Sequence, residues 1–355
     1  MHAIIYLMKI AAWKETAKKS CKTKCEEIGM KTYNLVNSVK GGCGKTTFSI
    51  WLSCYLGMSE EKEVEQTILV DMDLLGTSMQ SVFFGKKEMP DEYAFVNEIF
   101  DGKKESSKPF VHKIRLANGQ LMNVIFSSTK MEDRIKFKSG DYSSYTPIVK
   151  HSIFRSGLKE LIKNNQKLYE SEVKHFVFDM PPNSDGFSDA AMECIFNPRH
   201  SVARETSRNN LFVMIGSEWG QTVATAAEVK AILTRRDARM PDKIFFVINN
   251  NVSGDFDSEQ YKKRKDYLKE EIASMKLTEE ETEKIYFLKM TQSRAYTQMG
   301  IDALGIVNAD KDKIIEAVPR GIVEEIASFK EEFKIVKENA LRILITNEKP
   351  GERKE

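Results

Sequence analysis

The chain has 355 residues, 41% of them hydrophobic and 30% charged, with 54 basic against 52 acidic side chains and a net charge of +2. That composition excludes a disordered polyelectrolyte, and the near-neutral balance means that any nucleic-acid contact must come from local patches. Cysteines at Cys21, Cys25, Cys43, Cys54 and Cys194 are odd in number and scattered, which excludes a disulfide framework and points to a reducing cytoplasm; no run of 18 apolar residues could cross a membrane.

Residues 1–29 read as a peripheral extension. An apolar start is cut by Lys9 and lacks the basic leader and cleavage site of a secretion signal, a lysine-rich polar stretch follows, and Met30 is an alternative start. Cys21 and Cys25 have no second pair to complete a zinc site. Thr32–Val36 then predicts a buried strand and Phe48–Leu56 an unbroken helix. Between them lies Asn37-Ser-Val-Lys-Gly-Gly-Cys-Gly-Lys45, followed by Thr46 and Thr47. Strand, glycine turn, Lys-Thr and helix make the layout of a phosphate-binding loop. Gly41, Gly42 and Gly44 let backbone N–H groups converge on phosphates, Lys45 neutralises the β and γ oxygens, and Thr46 offers a hydroxyl to Mg²⁺. The early glycine of the usual pattern is replaced by Val39, and Lys40 stands directly before the glycine pair.

Gln66–Val70 predicts a second strand ending at Asp71-Met-Asp73, two carboxylates at a sheet edge where α/β proteins place ligand chemistry. A continuing strand would aim both acids to one face, whereas a turn starting between them would separate their roles. The middle region, 79–170, predicts a helix over 92–100, a strand over 119–126, a polar loop and a helix over 148–169. Val173–Phe178 reads as a strand, with His175 packed in it, closed by Asp179-Met-Pro-Pro182. An acid at that edge can orient Mg²⁺-bound water beside Thr46.

Further strands are predicted at 209–215, 243–248 and 285–290, and helices at 186–196, 219–236 and 258–276. The strand over 243–248 closes on Asn249-Asn-Asn251, and the last of these helices carries Lys262, Lys263, Arg264 and Lys265. An amphipathic stripe from Ile322 to Ala340 could dock on the core, pair between protomers or lie on a membrane; the polar tail at 346–355 argues against the last. The alternation implies an α/β fold, a mostly parallel twisted sheet with helices on both faces, in one P-loop NTPase domain over about 30–345.

Lys40-Gly-Gly-Cys-Gly-Lys-Thr46 resembles the deviant Walker A loop of the ParA/MinD family of ATPases. Asp71-Met-Asp73 and Asp179-Met-Pro-Pro182 look like that family's second and third nucleotide segments. The resemblance implies slow, partner-stimulated ATP hydrolysis in a homodimer bridged by ATP and Mg²⁺, with Lys40 reaching the partner's nucleotide. It implies Asp73 as the carboxylate that positions water, with Asp71 supporting it or touching the metal, and Asn249 at the adenine. It also implies nonspecific DNA binding, a ParB-like stimulating partner and DNA segregation on the nucleoid. Lys262–Lys265 and Arg235, Arg236 and Arg239 are the basic candidates for that face, or solvated helix surface. A MinD-like membrane-positioning ATPase and a nucleotide-gated adaptor without turnover are the alternatives; a nitrogenase-reductase-like electron carrier lacks its paired cluster cysteines.

Overall fold

The structure is a computed structural model, and it describes residues 31–56, 67–74, 79–80, 83, 94–100, 110–115, 121–128, 130, 132–133, 147–163, 173–182, 187–196, 207–216, 218–234, 241–250, 258–291, 305–309 and 314–318. Its strands are β1 (Thr32–Asn37), β2 (Thr67–Asp71), β3 (His112–Arg115), β4 (Leu121–Ile125), β5 (His175–Asp179), β6 (Arg208–Ile215), β7 (Lys243–Asn250), β8 (Ile285–Thr291), β9 (Gly305–Ala309) and β10 (Ile314–Val318). They form one sheet in the order β8-β7-β6-β1-β5-β2-β4-β3-β10-β9. Every neighbouring pair from β8 to β4 is parallel, and so is β3 with β10. The pairs β3–β4 and β9–β10 are antiparallel.

The helices are α1 (Lys45–Leu56), α2 (Val96–Phe100), α3 (Pro147–Lys163), α4 (Phe187–Phe196), α5 (Trp219–Leu233), α6 (Ser258–Ser274) and α7 (Glu279–Thr282). Successive strand residues face opposite sides, so each central strand feeds two cores. Leu35, Val70, Phe176, Phe178, Val213 and Phe246 join one core with α2 to α6. Val36, Leu69, Val177, Phe212 and Val247 join the other with Phe48, Trp51 and Leu52 of α1. Helices therefore cover both faces, as expected. α1 is buried nearly all round because it carries no charge after Lys45.

The charge-rich strand β3 and the outer pair β9 and β10 were not predicted. His112-Lys-Ile-Arg115 has no apolar run of its own, and its register comes from antiparallel pairing with β4. The described part of the middle region is built into the sheet, since β4 pairs with β2. The expected extension at 1–29, the stripe from Ile322 to Ala340, the tail and Arg235, Arg236 and Arg239 lie outside the described residues.

Candidate nucleotide-binding site

The parallel strands β1, β5 and β2 bring their carboxyl ends to one edge, and the predicted motifs meet there. The loop after β1 turns with Gly42 at φ 75° and Gly44 at φ 90°, left-handed conformations that a side chain makes costly. Gly44 is needed for a second reason: a Cβ there would lie 2.4 Å from the amide nitrogen of Asn249. Its carbonyl accepts the Phe48 N–H at 3.0 Å, the first turn of α1. The remaining first-turn N–H groups of the helix are the kind of donors that bind anions. Inside the turn, Ser38 Oγ donates to the Lys40 carbonyl at 2.8 Å and the buried Cys43 thiol donates to it at 3.3 Å.

Asp179, at the end of β5, is buried and takes hydroxyl bonds from α1. Thr46 Oγ1 donates to its Oδ2 at 2.7 Å and Ser49 Oγ to its Oδ1 at 3.1 Å. Thr46 and Ser49 are three residues apart, so one helix face presents both. Burial raises the Asp179 carboxyl to about 6, opposed by Lys45 and by these two hydroxyls. Ser49 was missed by sequence reasoning, although its spacing from Thr46 is a readable signal. Thr46 and Asp179 offer hard oxygen donors of the kind Mg²⁺ takes. Among the described residues no group of three or more His, Cys, Asp or Glu could hold a metal.

Asp71, at the end of β2, lies level with Asp179 in the neighbouring strand. Burial, then the Asp179 charge, push its carboxyl up to about 8, while Ser127 pulls the other way. Its Oδ2 accepts Ser127 Oγ at 2.7 Å and Ser127 N–H at 3.3 Å, and its Oδ1 accepts the backbone N–H of Asp73 at 3.1 Å. Both Asp71 oxygens are engaged away from the loop, by Ser127 and by the backbone of Asp73, whereas those of Asp179 meet Thr46 and Ser49 of α1, so Asp71 is the poorer match for the metal-ligand role weighed for it. The chain turns between the two acids: Met72 N–H bonds the Asp179 carbonyl and Leu74 N–H the Met72 carbonyl. Their roles separate, with Asp71 inward and Asp73 half-buried at the edge.

Lys40 lies on the exposed side of the loop, where Nζ meets Glu218 Oε2 of the same chain at 2.9 Å. Glu218 is the N-cap residue of α5 without capping it. The lysine holds the Glu218 carboxyl below its ordinary value. Both side chains are more than 60% exposed, so water and salt screen the pair. Gln221 extends the contact inward, donating to Glu218 at 3.4 Å and accepting the Gly216 N–H at 2.8 Å.

Two expectations change. Asn249 is buried and donates to the Cys43 carbonyl at 2.8 Å, so it buttresses the loop and is not open to an adenine. Arg264 belongs to no surface patch: it is 5% exposed and donates to the Gly216 carbonyl at 2.6 Å. Lys262 and Lys263 are exposed, Lys263 is paired with Glu259, and Lys265 lies 5.8 Å from the centroids of Tyr261 and Phe287. Lys45 and Thr46 are half-buried at the mouth of the loop and Thr47 is buried. His175 sits at the far end of β5, bonded to Thr32 at 2.8 Å.

No family model and no curated protein matches the chain. Among solved structures it is similar to the pNOB8 ParA, with 15% identity, a TM-score of 0.49 and coverage of 75% of this chain and 82% of that one; that protein has also been solved bound to nonspecific DNA. A Cyanothece McdA variant in complex with ATP gives 18%, 0.47, 84% and 96%. A plasmid partition protein from Borrelia burgdorferi bound to AMPPNP gives 16%, 0.48, 84% and 98%. These are proteins of the kind that the loop and acid motifs resemble. At such scores they carry no part of the chemistry, which rests on this chain's own residues.

Proposed function

We propose that this chain is a ParA-like ATPase of the deviant Walker A type, which dimerises on binding ATP and Mg²⁺ and hydrolyses the nucleotide to drive segregation or positioning of DNA. The observation that carries the reading is the meeting of the glycine turn, Thr46, Ser49 and Asp179 at one sheet edge, with Lys40 on the exposed side of the same loop. Backbone N–H groups and Lys45 would cradle the phosphates, and Thr46, with Asp179 through water, would hold the metal. Bound there, Mg²⁺ would supply neutralisation of phosphate charge. Asp73 orients the attacking water. Lys40 exchanges its screened carboxylate for the more highly charged phosphates of a second protomer, where it stabilises charge in a loose transition state. Trp219 and Val223, the exposed large apolar side chains among the described residues, lie one turn apart beside Glu218 and suit an approaching second copy.

Hydrolysis then acts as a timer that releases the dimer, and a ParB-like partner sets its rate. DNA binding is the output, in a cytoplasmic, nucleoid-associated setting and away from membranes. α6 carries five basic and four acidic residues, so its phosphate contacts are few. The domain spans about 30–345. Size-exclusion chromatography with ADP, ATP and Asp73→Ala, with and without DNA, tests the reading. ATP should give a dimer that persists in the variant and binds DNA more weakly as salt rises. A monomer under every condition overturns it, and a dimer without turnover leaves the nucleotide-gated adaptor.

A further inference from the structure

The end of β4 reaches the edge beside Asp71, and nothing in the nucleotide reading accounts for it. Past Ile125 the chain leaves the strand, and the next three residues are pinned from outside the sheet. The Phe126 carbonyl accepts the Val96 N–H at 2.9 Å, the Ser127 carbonyl accepts the Gln80 amide, and the Ser128 N–H donates to Asn97 Oδ1 at 2.7 Å. Ser127, Ser128, Gln80 and Asn97 are all buried. A buried hydrogen-bonded network of this kind fixes its members because each broken bond leaves a desolvated group. Ser127 in turn gives two hydrogen bonds to one oxygen of Asp71, and the other oxygen receives the backbone N–H of Asp73.

We infer that Ser127 is a positioning residue for Asp73, acting through the Asp71 carboxyl, so that the end of β4 sets the geometry of hydrolysis and not the affinity for nucleotide. This rests on the proposed ATPase reading. The backbone of Asp73 lies in a tight turn, and rotation of Asp71 about its side-chain bonds would release the bond that fixes the turn. Ser127 prevents that rotation by holding Oδ2 from both its hydroxyl and its N–H. The proposed phosphate contacts of Lys45, Thr46 and the glycine turn lie on α1 and the loop before it and do not pass through Ser127. The described part of the middle region thereby gains a role: Gln80, Val96 and Asn97 hold the end of β4, and Ser127 there braces the acid that times turnover.

The test is steady-state ATP turnover of the full chain and of Ser127→Ala, with thermal melts of each. Misplacement of an orienting group by about 1 Å can cost up to about 100-fold in rate. For the loss of one of several restraints we expect kcat to fall about tenfold, with KM for ATP within about twofold of the parent. A kcat equal to the parent overturns the inference. So does a tenfold rise in KM, which would mark a general loosening of the site. Should Ser127→Ala fail to fold, Gln80→Ala decides: it frees the Ser127 carbonyl and should lower kcat about threefold at unchanged KM, and parental kcat there overturns the proposal. No turnover in the parent protein sinks the ATPase reading itself, a different result from turnover that ignores Ser127.

Discussion

The carboxyl ends of β1 and β5 and those of β2 and β4 lie side by side in one sheet, yet they are built from different materials. At the first corner, glycines with positive φ, a lysine and two helix hydroxyls surround Asp179, and three favourable partners oppose the rise in its pKa that burial causes. At the second, Asp71 has the help of one serine against burial and the charge of Asp179, and it sits near 8. The first corner is shaped to receive charge from outside. The second holds a buried acid that accepts three hydrogen bonds from its own chain, while burial and the Asp179 charge push its pKa up. In the proposed function, holding a nucleotide and timing its loss fall to adjacent but separable parts of the edge.

That separation can be broken experimentally. Lys45→Ala should produce the largest effect, since it removes the cation beside buried Asp179 and the neutraliser of the phosphates. ATP affinity by calorimetry should fall by about 100-fold or more, the scale of a charge-assisted contact in a partly buried site. Asp73→Ala should do the converse: turnover should fall about 100-fold while the dissociation constant changes less than about threefold. If both variants lose affinity alike, the two corners are one unit.

A third test uses pH. The Asp71 carboxyl titrates near 8 in the folded chain against an ordinary 3.8, so the native state keeps a proton that the unfolded chain releases. The resulting stability is complete below about pH 4 and is lost as pH rises to about 8. Asp179, raised to about 6, contributes over the lower part of that window. Between pH 6 and 8 the nucleotide-free protein should lose up to about 1.4 kcal/mol per pH unit, and Asp71→Asn should flatten that slope in denaturant titrations. The smallest effect is expected at the outer face. Glu218→Gln removes the cis partner of Lys40 and should tighten ATP-dependent dimerisation by about two- to fivefold at low salt, less at high salt. No change by analytical ultracentrifugation would mean that the pair places no restraint on the lysine.

The loop corner was legible in the sequence because its parts are contiguous: Lys40 to Thr47 form one strand–turn–helix, and the acids at Asp71, Asp73 and Asp179 each end an apolar run. The brace was not legible. Ser127 meets Asp71 across 56 residues, and a serine after a strand has no meaning until β4 is known to lie beside β2. Asn249 was misread because a role at a strand end depends on which loop packs there. Arg264 could have been found: it stands four and eight residues before the buried Leu268 and Ile272, on the inward stripe of α6, and only its place in a basic run suggested a surface. The outer strands β9 and β10 depend on pairing with β3, itself set by β4, so no local pattern marks them.

The bond from Asn249 to the Cys43 carbonyl joins groups 206 residues apart, and a side chain on the glycine beside it, Gly44, would collide with that amide. The loop is therefore moulded by a strand made long after it on the ribosome, so the proposed grip on triphosphate would come late, when β7 has closed against β6. A truncated product ending before that strand could contain the whole motif and still have no competence to enter the cycle.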